Sequence, residues 1–251
     1  MNSNKVNKSN VHTLITAAGD SRSLFLSSGF KQPKSLVLWN TKEVILNSIQ
    51  SYVIYPEKLT VAINKLENKE FNIEKLVSRF YPEARVITIN SEVKGALASA
   101  LLSLVDIDPD SELVIAAGDS FIHEGIMSYI EYFQKIGAKA GTIVFRSTNP
   151  RWSYLALDKF GIVRNVQEKK VIGTYATTGV FYFNSVKEFI NAAKWVLVNN
   201  ASINNNFYVS TTLNYLLSCG FRVEYIEISR DNYVSLALPS DFRKDTGFNG
   251  K

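Results

Sequence analysis

The 251-residue sequence predicts an α/β fold: a Rossmann-like, doubly wound mixed sheet with a smaller β-rich lobe. Three observations carry this. Apolar runs of strand length alternate with amphipathic helical stretches through the first half. One of those runs, 113–117, is apolar throughout, as a central strand covered on both faces requires. The second half turns to closely spaced β runs around an Asp158-Lys159-Phe160-Gly161 turn.

Taken in order, strands are expected at 13–18, 58–63, 85–89 and 113–117. Helices over 42–55, 72–81 and 95–105 complete the βαβ units between them. Beyond them, 141–146 reads as a strand, 154–157 and 161–167 as a hairpin, and 178–183 as a further β run. Helices at 186–198 and 209–217 follow, then a strand at 222–228. No linker, repeat or low-complexity segment divides the chain. Residues 12–251 are therefore expected to form one domain, with lobes of about 12–140 and about 141–230. Residues 1–11, polar and rich in Asn and Lys, read as a disordered tail without the apolar segment of a secretory signal.

Composition narrows the chemistry. An apolar fraction of 46% supports a sizeable core, and a net charge of +5 without Lys/Arg clusters suits small anions rather than nucleic acid. The single Cys219 excludes an intrachain disulfide and a Cys-rich metal site; its Tyr-Leu-Leu-Ser-Cys setting reads as a buried helix position in a reducing cytoplasm. No run is long enough to enter a bilayer. His12 and His123 are the only histidines and have no nucleophile elbow or ligand partner, so triad chemistry and zinc hydrolysis lack parts.

The stretch from Leu14 to Leu36 is the most informative. An apolar strand ending in Ala17-Ala18 opens at Gly19 into the short loop Asp20-Ser21-Arg22, and Pro33-Lys34 brings a second cation. A strand that opens into small residues lays backbone N–H groups against a polyphosphate, while Arg22 offers a planar fork and Lys34 a point charge. This reads as a nucleoside triphosphate site. Gly118-Asp119 ends the 113–117 strand at the same carboxyl edge, where ligands of open α/β sheets bind. Asp119 can hold Mg²⁺ there or serve as a turn former and helix cap. Gly95-Ala96 opens a helix with small residues, either for close packing or for a flat base. Glu168-Lys169 is either a solvated turn or an acceptor contact, and Trp152 either walls a pocket or fills core.

The ordered set Ala17-Ala18-Gly19, Arg22, Pro33-Lys34, Gly118-Asp119, Glu168-Lys169 and Thr178-Gly179 resembles the nucleotidyltransferase (pyrophosphorylase) family that makes NDP-sugars and related metabolites. Similarity extends to small bacterial capsule-cluster members through Trp152-Ser153-Tyr154 and the segment Asn204 to Val209. The resemblance implies a fold of the nucleotide-diphospho-sugar transferase type. It also implies transfer of NMP from a nucleoside triphosphate to a small phosphorylated acceptor, with pyrophosphate released. Ala17, Ala18, Gly19, Asp20, Ser21, Gly95 and Ala96 would hold the nucleotide, and Arg22 and Lys34 would balance phosphate charge. Asp119 would bind Mg²⁺, and Glu168, Lys169, Thr178, Gly179 and Trp152 would form the acceptor side. CTP is expected before UTP, since no Gln near Gly95 could read a larger base. Capsule or surface-glycan precursor synthesis and a homodimer complete the expectations.

Two departures stand out. The family loop reads G-x-G-[ST]-R, whereas Gly19-Asp20-Ser21-Arg22 lacks the second glycine and is one residue short. Many relatives also carry a second metal carboxylate near the C-terminus, and no Asp occupies the matching place in the stretch 234–241, where Asp241 reads as a helix start. A nucleotide-sugar glycosyltransferase is the first rival, but it needs an Asp-x-Asp where Gly118-Asp119 gives one carboxylate. A non-catalytic nucleotide-binding domain is the second.

Overall fold

A computed structural model describes residues 10–245. Strand β1 (Val11–Ala17) leads into α1 (Arg22–Ser27), the short β2 (Leu38–Trp39) and β3 (Lys42–Glu43), and α2 (Val44–Tyr52). Next come β4 (Leu59–Asn64), α3 (Lys65–Phe71), α4 (Ile73–Phe80), β5 (Arg85–Ile89), α5 (Ala96–Ser103) and β6 (Glu112–Ala117). The chain continues through β7 (Ser120–Ile122), α6 (Met127–Lys135), β8 (Ala140–Arg146), β9 (Ser153–Leu157), β10 (Val163–Glu168) and β11 (Tyr175–Phe183). It closes with α7 (Val186–Val198), α8 (Thr212–Ser218), β12 (Val223–Glu227), β13 (Tyr233–Ser235) and α9 (Pro239–Asp245).

The main sheet is mixed, as predicted. Strands β5, β4, β1 and β6 run parallel and side by side, and β11 joins β6 antiparallel. Strand β8 lies along the other edge of β11 and carries β12 in parallel. Near its start β11 also pairs with β9, which carries β10. Alternate strand residues feed opposite layers: Ile15, Val61, Val114 and Phe145 pack with α2, α4 and α6, while Leu14, Ala62, Ile115 and Val144 pack with α5, α7 and α8. A sheet covered on both faces explains the near-continuous apolar strands.

The structure shifts several boundaries. Strand β1 begins at Val11, which is buried, so the predicted tail is too long by at least that residue; residues 1–9 lie outside those described. Within the expected helix 42–55, Lys42 and Glu43 form β3, and α2 then ends at Tyr52. The region before 72 is helical too: α3 and α4 abut at Asn72, whose left-handed φ of 55° breaks the axis. Strand β7 and not a helix follows Asp119, so Asp119 is no helix cap. Cys219 is exposed just past α8, because its helix turns its apolar face through Leu213 and Leu216 instead. No helix among the described residues is long and apolar enough to cross a membrane.

Candidate active site

A cavity of about 630 Å³ opens beyond the carboxyl ends of β1 and β6 and runs toward β9 and β10. Gly19, Asp20, Lys34, Gly95, Ala96 and Asp119 line its first half; Trp152, Glu168, Lys169, Thr178 and Gly179 line the second. An annex of about 250 Å³, walled by Ala18, Ser91, Ser99 and Asn206, branches off beside Gly19 and Gly95. Most residues singled out in the sequence therefore meet in one place, although they span positions 18 to 179.

Parallel register is what gathers the first half. Thr16 of β1 pairs with Ala117 of β6, so the two strands end level and release their loops side by side. A methyl at Gly118 would come within 2.7 Å of the Ala17 Cβ, so glycine lets the two chain reversals nest. Lys34 Nζ donates to Asp119 Oδ2 at 2.6 Å, with both side chains partly exposed to the cavity. The Asp119 main chain is held separately, its carbonyl accepting from Leu236 N–H at 2.8 Å. On the annex side Gly95 adopts φ +89°, and a methyl there would sit 2.2 Å from the Phe207 carbonyl oxygen. Only glycine fits that approach.

A bulge in β11 shapes the second half. Pairing with β8 slips between Thr177 and Phe181, and Gly179 takes φ +82° inside the slip. Tyr233, buried, donates from its hydroxyl to the Thr178 carbonyl at 2.8 Å; burial raises its phenol above the usual range, so it stays a donor. Lys169 holds a left-handed φ of 54° just past β10, and its Nζ donates to the Tyr208 hydroxyl at 2.8 Å. Glu168 accepts from the hydroxyls of Ser153 and Ser210, the latter at 2.8 Å. Arg151 makes two bonds to Asp241, at 2.8 and 2.9 Å, a third to Ser235 at 3.0 Å, and stacks 4.3 Å from the Trp152 ring centre. Asp241 raises the Arg151 guanidinium above its ordinary range, and it also accepts from Leu238 N–H at the start of α9.

Three expected residues do not reach the cavity. Arg22 turns away and pairs with Glu70 at 2.5 Å, an exposed contact that raises its guanidinium above the ordinary range. The reason is local: the loop is anchored by Ser21 to Glu67, and Glu70 lies one turn further along the same face of α3. Ser21 is itself buried in that anchor, and Ala17 packs against Gly118. The guanidinium that does line the cavity is Arg151, from a stretch noted in the sequence only for its aromatics. Asn206, Tyr208 and Ser210 also went unassigned, though they fall in or next to the Asn204–Val209 segment. Nothing in the sequence distinguishes Glu67 from a solvated helix glutamate.

Asp119 is the carboxylate at the sheet edge, and no group of three or more metal-type ligands gathers among the described residues. The Asp119 carboxylate, facing a cavity of about 630 Å³, still fits a magnesium ion that arrives with a triphosphate.

The sequence matches no known protein family profile. It matches no curated protein either. Its fold is shared by solved structures that include the nucleoside-diphosphate-sugar pyrophosphorylase of Vibrio cholerae RC9, with 17% identity and TM-score 0.78 over 92% of this chain and 97% of that one. The inositol-1-phosphate CTP transferase of T. maritima aligns with 14% identity and TM-score 0.68, over 92% and 91%. The CTP:phosphocholine cytidylyltransferase of Streptococcus pneumoniae gives 14% and 0.68, over 94% and 97%. All three are nucleotidyltransferases, and what they share with this chain at such identities is the nucleotide-diphospho-sugar transferase fold.

Proposed function

We propose that this protein is a nucleotidyltransferase that moves NMP from a nucleoside triphosphate to a small phosphorylated acceptor. The observation that carries the reading is the opposition, inside one cavity, of the Lys34–Asp119 pair to Glu168 and Lys169. The fold neighbours' chemistry supports it, two of them being named for CTP. The annex beside Gly19 and Gly95 receives the base, with CTP favoured, and the acceptor sits between Trp152, Glu168 and Lys169. A role in capsule or surface-glycan precursor synthesis rests on the sequence resemblance.

In the reaction a phosphate oxygen of the acceptor bonds to the α-phosphorus while the α–β bridging P–O bond breaks and pyrophosphate departs. The attacking oxygen is already anionic near neutral pH, so no general base is needed. That agrees with a cavity lined by no histidine. Lys34 offsets charge on the triphosphate, and Lys169 and Arg151 orient the acceptor phosphate. Glu168 accepts hydrogen bonds from acceptor hydroxyls in exchange with Ser153 and Ser210. Asp119 would hold a magnesium ion brought by the triphosphate, which when bound neutralises phosphate charge. Rate then comes from positioning and electrostatics.

Pyrophosphate release from CTP, UTP, GTP and ATP, each against a panel of phosphorylated metabolites, tests this. One productive pair is expected, with CTP the best donor. Consumption of a nucleotide sugar without triphosphate would instead identify a glycosyltransferase, and binding without turnover a non-catalytic domain.

A further inference from the structure

We propose that Glu67 is a positioning residue that sets the triphosphate loop and Lys34 in place, an inference that rests on the nucleotidyl-transfer reading of the cavity. Glu67 lies in α3, behind the loop, and is 1% exposed. One oxygen, Oε1, accepts from both the Ser21 N–H and the Ser21 hydroxyl, each at 2.8 Å. The same hydroxyl oxygen accepts from the Lys34 N–H at 3.1 Å, and Lys34 Nζ reaches Asp119 at 2.6 Å. Hydrogen bonds thus tie α3 to the loop and the loop to the Lys34 main chain, and the Lys34 side chain spans from there to Asp119 at the edge of β6. Together these contacts register segments that stand 46 and 85 residues apart.

Asn64 secures the other end of the same loop. Its carbonyl oxygen caps α3 by accepting from Leu66 and Glu67 N–H, and its amide donates to the Ala18 carbonyl at 3.2 Å. The loop is therefore clamped at Ala18 and at Ser21, leaving Gly19 and Asp20 to face the cavity. A methyl at Gly19 would meet nothing within 4 Å, so the hydrogen bonds at Ala18 and Ser21 are what hold the loop there.

Fold stability alone does not ask for this carboxylate. Its second oxygen, Oε2, is buried with no hydrogen-bond partner. Burial raises its acid above the usual carboxylate range, against the pull of its bonds to Ser21 and of the Arg22 N–H. A buried charge with an unsatisfied oxygen opposes folding, whereas a charged acceptor holds an N–H about twice as strongly as a neutral one. The gain appears at the loop, not in the core.

The test uses the full chain and three variants: Glu67→Leu, Glu67→Gln and Ser21→Ala. Glu67→Leu is expected to raise the KM for CTP at least tenfold and to lower kcat, with the acceptor KM within twofold. Glu67→Gln, which keeps the acceptor oxygen, should fall between, with a melting temperature at pH 7 no lower than wild type. A lowered melting temperature with unchanged constants would mean a structural glutamate and overturn the proposal. Should Glu67→Leu fail to fold, wild-type CTP constants in both Glu67→Gln and Ser21→Ala overturn it equally. Calorimetric binding of the α,β-methylene analogue of CTP separates this from the activity itself. A wild type that binds the analogue without turnover defeats the transfer reading, while loss of that binding in Glu67→Leu still upholds Glu67. A wild type that binds the α,β-methylene analogue of none of the four triphosphates defeats both.

Discussion

At the scale of single residues, the Lys34–Asp119 contact is where charge chemistry concentrates. Both side chains are part-buried, about one-fifth exposed, and with solvent screening the contact is worth about 1 kcal/mol to stability. Its value lies in facing a cavity that would receive a polyanion. Asp119→Ala is therefore expected to leave the melting temperature within a few degrees, since the main chain there is held by Leu236, yet to lower kcat about 10²–10³-fold. Steady-state pyrophosphate release measures it, and wild-type turnover in the variant would remove Asp119 from the site. His12 makes the contrasting case of a buried group without chemistry. Its Nε2 meets Thr60 Oγ1 at 2.9 Å, and burial, then Arg85 and Lys58, lowers its pKa to about 4. The folded protein thus binds fewer protons there than the unfolded chain. Stability from neutral His12 is complete above about pH 6.5 and is lost as pH falls toward 4, about 2–3 kcal/mol of it by pH 4.5. Urea unfolding at pH 7.5 and 4.5 should show wild type losing more than His12→Gln by that amount; equal losses would contradict it. Glu67 works in the opposite sense, since a raised carboxyl gains stability as pH falls.

Between elements, the segment from Asn206 to Ser210 binds both sides of the cavity. Its Phe207 main chain pairs with Lys94 and Leu97 on the annex side, while Tyr208 and Ser210 receive Lys169 and Glu168 on the other. Lys169 is held in a left-handed conformation that costs a non-glycine residue about 1–3 kcal/mol, and such strain collects at working sites. Lys169→Ala should therefore raise the acceptor KM at least five times more than the triphosphate KM; equal rises would take Lys169 off the acceptor side. Of this geometry the sequence made some parts legible and hid others, for physical reasons. Strand runs such as 113–117 announce themselves because burial on both faces leaves no polar positions. Asp119, Glu168 and Lys169 could be picked out because their charges stand at strand ends on the right edge, and Lys34 because it is the second cation after the loop that opens beyond β1. Arg22 was misplaced because its direction depends on Glu70, a contact across 48 residues that no local pattern encodes. Helix α3 went unread ahead of the helix expected at 72–81, because its one fully buried residue is Glu67 and it shows no apolar stripe.

For the molecule as a whole, the question is whether the two lobes expected from the sequence fold as one. Strand β11 belongs to both: Tyr175 and Ala176 pair with β9, and Phe181 to Phe183 pair with β6, while β8 follows the opposite edge. The apolar layers mix in the same way. One layer joins Ile15, Val61 and Val114 of the parallel half to Phe145, Tyr154 and Tyr233 of the other. The opposite layer joins Leu14 and Ile115 to Leu155, Val163 and Val166. Releasing the β9–β10 hairpin would expose Tyr154 and Leu155, both fully buried, and would strip Glu168 and Trp152 from the cavity. Burial of a large apolar side chain is worth roughly 1.5–3 kcal/mol, so partial opening is unfavourable before the rest of the sheet yields. A single cooperative transition is therefore expected, even at a length where separate units become common. Calorimetry should give one peak with equal van't Hoff and calorimetric enthalpies, and near-ultraviolet and far-ultraviolet dichroism should change together in urea. Two resolved transitions, with aromatic signals from Trp152 and Tyr154 lost first, would show that the lobes are separate folding units and that the cavity lies between domains rather than within one.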